Sequence, residues 1–267
     1  MFSPYYAWAR RRGAADPLRH CAMNAVLYGP GRKRWAMTER TGAARGASWL
    51  RIGPSSLEWD GDTLTARLDE VTVPVPSRLR GTVRLRPSAL TGRTVALDSA
   101  GRHLWSPLAP CARVEVEMQR PGLRWSGPGY FDTNAGAAPL EDDFVHWDWC
   151  RAPLGHGTAV LYNVTRRGGD ASAIALHADP SGVVRDVPAP PGLRLPRTRW
   201  GMERPTRAES ASVVRTLEDA PFYARSVLHT GLLGERATAV HESLSLDRFR
   251  APWVQAMLPF RMPRKPG

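Results

Sequence analysis

Alternation with a period of two runs through nearly the whole chain, and it limits what the chain can fold into more than any other feature. Leu79, Val83 and Leu85 alternate with Arg78, Arg80, Thr82, Arg84 and Arg86. Ala112, Val114, Val116 and Met118 alternate with Arg113, Glu115 and Glu117. Successive side chains of an extended segment point to opposite faces, so each run has a dry face and a wet one. Shorter runs of the same kind fall at 24–28, 35–39, 63–68, 94–98, 158–162 and 173–177. Turn-forming strings separate them: Gly29-Pro30-Gly31, Asp60-Gly61-Asp62, Gly168-Gly169-Asp170 and Asp179-Pro180-Ser181-Gly182. Only short pieces, such as 139–147, are compatible with helix.

So many short strands predict an all-β protein, and they are too many for one small barrel. Two β-barrel or sandwich units in tandem are expected, with a seam at Ser106-Pro107-Leu108-Ala109-Pro110, giving units 1–108 and 109–267. The Pro-rich stretch 188–196 is a second candidate boundary. At 267 residues the chain is long enough to bury a sizeable core.

Several function classes are poorly served. The sequence has no P-loop, no GxSxG elbow, no HExxH and no GxGxxG after a strand, so a nucleotide cofactor is not expected. The seven histidines show no metal-ligand spacing, and no metal is expected. Cys21, Cys111 and Cys150 are odd in number and far apart, and read as small buried side chains. The net charge of +12 suits nucleic acid or an anionic membrane, or reflects a coding bias toward arginine. No basic helix, zinc finger or RNP-type strand is present, so nucleic acid is the weaker partner. No apolar run reaches the length of a membrane span, and the N-terminus lacks the pattern of a secretory signal, so a cytoplasmic protein is expected.

Groups able to do chemistry concentrate in the middle third: Gly101-Arg102-His103-Leu104-Trp105, then Trp125 through Asn134, then His146-Trp147-Asp148-Trp149. Residues two apart share a face, so His103 points with Trp105, and Tyr130 with Asp132. Each pair sets a proton-handling or polar group beside an aromatic one. The structural reading stands beside this: Trp and Tyr at such spacing pack cores, and Asp before Thr-Asn makes turns. His146-Trp147-Asp148-Trp149 next to Arg151 suits a barrel end held by stacking and an Asp–Arg pair. Glu242 shares parity with Val240, Leu244 and Leu246 and faces an interior, where Arg225 or Arg248 is its expected partner.

Seven strings carry a resemblance. They are Phe2-Ser3-Pro4-Tyr5-Tyr6-Ala7-Trp8-Ala9-Arg10, Trp35-Ala36-Met37-Thr38-Glu39-Arg40, His103-Leu104-Trp105-Ser106-Pro107 and Gly129-Tyr130-Phe131-Asp132-Thr133-Asn134. They continue with Trp147-Asp148-Trp149, Thr216-Leu217-Glu218-Asp219-Ala220-Pro221-Phe222-Tyr223 and Met257-Leu258-Pro259-Phe260-Arg261-Met262-Pro263-Arg264. In order and along the whole chain, they resemble the carotenoid 1,2-hydratase (hydroxyneurosporene synthase) family, although Cys150 stands where serine is expected after Trp-Asp-Trp.

That resemblance implies a double lipocalin-like β fold and cofactor-free addition of water to the C1–C2 double bond of an acyclic carotenoid such as neurosporene or lycopene. It implies a site of His103, Trp105, Tyr130 and Asp132. The chemistry requires a carboxylic acid still protonated near neutral pH, whereas an ordinary Asp has a pKa of about 3.9. Asp132 is the expected proton donor, Trp105 and Tyr130 flank the cation, and His103 positions water, with Asp132 and His103 able to exchange roles. Trp125, Trp147, Trp149 and Glu242 are expected to line the substrate. A bilayer-borne substrate implies peripheral attachment to an anionic inner, photosynthetic membrane through the face bearing Arg78, Arg80, Arg84 and Arg86. The alternatives are a non-catalytic lipocalin-like carotenoid or lipid carrier, and a related isomerase or cyclase.

Overall fold

The structure, a computed structural model, describes residues 3–29 and 33–266. Antiparallel β-sheet dominates it, as the alternation predicts. Residues 30 and 31 of the expected Gly29-Pro30-Gly31 turn, and Phe2 of the first matching string, lie outside the described residues.

The chain forms two compact units that interleave along the sequence. One comprises residues 1–86, 113–127 and 255–267, the other 87–112 and 128–254. This differs from a tandem split at 106–110, because those residues lie inside one long strand, His103–Arg120, instead of in a linker. In the 188–196 stretch, Gly192–Leu195 pairs with Arg204–Arg207 as a two-stranded ribbon.

In the first unit the strands Ala43–Arg45, Trp49–Ile52, Ser55–Trp59, Leu64–Val71 and Arg78–Pro87 pair in sequence order. Cys21–Leu27 pairs with Arg34–Arg40 in a smaller sheet. Ala25, Ala36, Leu79, Val116 and Met118 form its core, so the dry faces read from both long alternating runs are buried together. Gly81 makes that contact possible: a Cβ there would lie 2.5 Å from the Glu117 carbonyl oxygen. The wet face of Arg78–Pro87 is less cationic than its sequence suggests. Arg78 pairs with Asp69 at 2.5 Å and Arg86 with Glu115 at 3.1 Å, and Arg84 lies 4.0 Å from Glu117.

The second unit holds a seven-stranded antiparallel sheet in the order Val184–Asp186, Ala171–Ala178, Gly157–Arg166, Phe144–Leu154, Glu235–Ser245, Tyr223–Leu232, Ser210–Asp219. This order is an open path; among the described residues no pairing joins its two edge strands into a barrel. The turns between its strands fall where expected. At 179–182, for example, Gly182 adopts φ +91° and donates to the Asp179 carbonyl at 3.1 Å. One face of the central strands is aliphatic, packing Cys150, Ala152, Ala159, Leu161, Ala175, Leu228 and Ala239. The opposite face carries Trp147, Trp149 and Tyr162. The sheet is therefore covered on both sides, which explains why 158–162 is buried residue after residue.

Helix is more frequent than the alternation indicates. Pro4–Arg11, Leu246–Arg250 and Pro252–Arg261 are helical, whereas the 139–147 piece is helical only over Leu140–Asp143. From Phe144 onward that segment pairs with a strand on each side, and the ladder bonds override any local helical preference. Pro4–Arg11 starts on a serine cap, Ser3 Oγ accepting the Tyr6 N–H at 2.9 Å, with Pro4 at the first helical position. All three cysteines are free, but only Cys150 is buried, its thiol pushed up to about 12 by desolvation; Cys21 and Cys111 are half-buried.

Candidate active site

The aromatic face of the second unit is assembled by register. Trp149 stands directly opposite Tyr162 on one side and Glu242 on the other, and Glu242 stands opposite Arg225. A single cross-strand row thus reads Tyr162, Trp149, Glu242, Arg225. Directly opposed side chains on one face of a sheet lie within contact distance of each other. Glu242 Oε1 meets Arg225 at 2.7 Å, so Arg225 is its partner, while Arg248 donates to the Trp200 carbonyl at 2.9 Å.

Trp105 and Asp132 meet over this row. Trp105, with no exposed surface, donates its indole N–H to Asp132 Oδ2 at 2.8 Å. The Tyr130 hydroxyl donates to the same oxygen at 3.0 Å. The parity of Tyr130 and Asp132 is thereby expressed as a bond between them. Ring contacts tie the group to the row: Trp105 to Tyr162 with centroids 5.1 Å apart, Tyr130 to Trp149 at 5.2 Å, and Trp147 to Tyr162 at 5.7 Å. Arg151 stacks its guanidinium 5.4 Å above the Tyr130 ring and donates to the Gly129 carbonyl at 3.1 Å. The expected Asp148–Arg pair is absent, because Asp148 points to the opposite face, beside His146 at 3.1 Å and Ser243.

Electrostatics follow from this packing. Desolvation raises the Asp132 carboxyl above the ordinary range, and the negative charge of Glu242 adds to the rise; the hydrogen bonds from Trp105 and Tyr130 oppose it. Burial and the Asp132 charge push the Tyr130 hydroxyl well up, so it remains a donor at any ordinary pH. The Tyr162 hydroxyl is raised by burial and then by Asp132 and Glu242. Burial lowers Arg151.

His103 is placed otherwise. It is on the same strand face as Trp105, as its parity requires, with 2% of its surface exposed. Its Nε2 meets Asp143 Oδ2 at 2.6 Å, its ring packs on Phe144 at 4.9 Å, and its backbone N–H donates to Asp98 Oδ2 at 2.7 Å. Asp143 also receives Arg102. Trp125 is 44% exposed on a segment of the other unit and is not among the residues bonded or stacked around Asp132. Trp147 and Trp149 do border the cluster, and among the described residues the buried Trp147 indole N–H has no protein partner. Tyr162 and Arg151 join the cluster without having been singled out as site residues. Tyr162 sits in a run whose only sequence signal is strand, and its partners come from three other strands. Among the described residues no three His, Cys, Asp or Glu gather as metal ligands.

The arrangement offers one carboxyl in an aromatic enclosure, with two neutral donors on one of its oxygens.

A family model described as "Carotenoid hydratase CrtC" matches residues 1–267. A protein of Thiocapsa roseopersicina named acyclic carotenoid 1,2-hydratase is 56% identical over 273 residues, covering 100% of this chain and 67% of that protein. Proteins of the same name from Rubrivivax gelatinosus and Cereibacter sphaeroides are 47% and 41% identical, covering 99% and 100% of this chain and 67% and 96% of their own lengths. Among solved structures, AttH from Nitrosomonas europaea superposes with a TM-score of 0.57 at 14% identity, covering 82% of this chain and 79% of that one. CghA with Sch210972 gives 0.54 at 12% identity, covering 85% and 79%. These two likenesses concern the fold alone.

Proposed function

We propose, from the premise that this chain belongs to the carotenoid hydratase CrtC family, that it is an acyclic carotenoid 1,2-hydratase with Asp132 as its acid. The observation that carries this reading is the double hydrogen bond from Trp105 and Tyr130 to one oxygen of a carboxyl raised by burial.

The protonated carboxyl gives its proton to C2 of the terminal isoprene unit. The π electrons form the new C2–H bond and leave a tertiary cation at C1. Water adds at C1, and its surplus proton returns to the Asp132 carboxylate, so that alkene and water become a tertiary alcohol without oxidant or reductant. Proton donation turns Asp132 into a carboxylate, and the two N–H and O–H donors strengthen onto it as its charge develops. The faces of Trp105, Tyr130, Trp149 and Tyr162 surround the C1 cation, each contributing on the order of 0.5–2 kcal/mol. Glu242, although held by Arg225, adds a negative charge that helps keep the proton on Asp132.

His103, bonded to Asp143, holds the strand carrying Trp105 and is one step removed from the proton path. Trp147 and Trp149 line the substrate. The lipocalin-like description of the β units belongs to the same reading: one sheet face is core and the other is given to the ligand. No helix among the described residues is long and apolar enough to cross a membrane. A substrate dissolved in lipid calls for peripheral attachment to the bilayer that holds it.

Incubating the purified protein with neurosporene or lycopene, without added cofactor, tests this directly. A product heavier by one water supports hydration. Carotene bound but returned unchanged would make the protein a carrier.

A further inference from the structure

The helix Pro252–Arg261 is apolar on both sides. Val254 and Leu258 face the interior, 1% and 9% exposed. On its outer side Trp253, Met257 and Phe260, spaced by four and three residues, are 50%, 43% and 79% exposed. Side chains at that spacing form one continuous stripe. Trp253 is also stacked on Trp200, 47% exposed, with centroids 6.2 Å apart at 25°. A large apolar patch held open to solvent marks an interaction surface.

The charge around it is one-sided. From Arg248 to the last residue the chain contains four arginines and one lysine and no Asp or Glu. Arg250 turns to the backbone carbonyl of Glu141 at 3.5 Å, and Arg261 lies over the Trp35 ring at 4.6 Å; among the described residues neither meets a carboxylate. Lys265 is exposed. The arginines of Arg78–Pro87, by contrast, are largely occupied by Asp69, Glu115 and Glu117.

We propose that the outer face of Pro252–Arg261 seats the protein on an anionic lipid bilayer. Trp253, Met257 and Phe260 enter the boundary between headgroups and acyl chains, and Arg261 at the end of the same helix, with Lys265 just beyond it, meets lipid phosphates. Helices with an apolar face ringed by arginine and lysine lie in this way in the plane of the interface, with Trp at headgroup level. Charge selects the occupant: a second copy would bring two chains of net charge +12 together at a segment with five cationic side chains and no acid, whereas an anionic surface neutralises it. The inference rests on the hydratase reading only for its purpose, which is to bring the enzyme to a substrate dissolved in lipid.

Sedimentation with vesicles of phosphatidylcholine and phosphatidylglycerol, without carotene, is the test. The native protein is expected to bind, more weakly as salt rises and more weakly to pure phosphatidylcholine. Met257→Ser with Phe260→Ser, at exposed positions that leave the fold intact, is expected to lower partitioning at least tenfold while turnover of detergent-dispersed carotene is kept. Unchanged vesicle binding by that variant would overturn the proposal, as would a native dimer that the variant converts to monomer. Because binding is read without substrate, failure to hydrate carotene would count against the hydratase reading and leave this one standing.

Discussion

The indole N–H of Trp105 lies 2.8 Å from Asp132 Oδ2, within an aromatic enclosure that raises the carboxyl it touches. The two effects oppose each other. Desolvation keeps the proton on, and the hydrogen bond favours its release. An acid balanced in this way keeps its proton to higher pH than an ordinary aspartate and becomes a stabilised anion once it has given the proton away. A surface aspartate provides only the second property.

Asp132→Asn removes the transferable proton and keeps the shape. Hydration is expected to fall by about 10²–10⁴-fold, the usual contribution of a general acid. Stability should not fall with it. The folded pKa of Asp132 is raised above its unfolded value, so its contribution to stability is fully present below the unfolded pKa and is lost as pH rises through the folded one. At neutral pH the native carboxyl therefore carries a cost that asparagine does not. Melting temperatures at neutral pH should be equal or higher for the variant, with the difference shrinking in acid. Near-native turnover would remove Asp132 from its role.

Activity should fall as pH rises through the raised pKa of Asp132, because the protonated form is the donor. Tyr130→Phe deletes one of the two bonds that favour the carboxylate. The pKa should rise further, and the alkaline limb of the rate profile should move to higher pH even as the maximal rate drops. A limb that stays in place or moves down would show that Tyr130 does not act through Asp132.

Much of this arrangement is legible in the sequence. Period-two parity put His103 with Trp105 and Tyr130 with Asp132, and both pairings hold because side-chain alternation in a strand is geometric. Parity identifies a face and not the neighbour across it. Tyr162, Trp149 and Glu242 meet through the register of three strands distant in sequence, which no local pattern encodes. The same limit misjudged Arg78, Arg84 and Arg86, whose neutralising acids come from Leu64–Val71 and His103–Arg120. The tandem boundary failed to appear as a break because Ser106-Pro107-Leu108-Ala109-Pro110 continues a strand, its prolines notwithstanding. The helix Pro4–Arg11 was signalled by Ser3-Pro4, a cap and first-turn pair, but strand-like surroundings obscured it.

His103→Gln separates a positioning role from a proton-transfer role. The imidazole meets Asp143 at 2.6 Å where both side chains are almost wholly buried. Losing that bond should cost on the order of 1–3 kcal/mol of stability, read by denaturant unfolding. Turnover per folded molecule should stay within about tenfold of native, well short of the loss at Asp132. A deficit as deep as that of Asp132→Asn, in a stably folded variant, would place His103 in the proton path.

Glu242→Gln supplies a shift of opposite sign. The Glu242 carboxylate raises Asp132 by its charge, even while held by Arg225 at 2.7 Å. Glutamine keeps the volume and removes the charge, so the pKa of Asp132 should fall and the alkaline limb should move to lower pH. Tyr130→Phe moves the same limb the other way, and in the double variant the two displacements should partly cancel. The residues touch a common carboxyl, so the cancellation need not be additive. What matters is the sign: if both single variants move the limb in the same direction, the group that titrates is not Asp132.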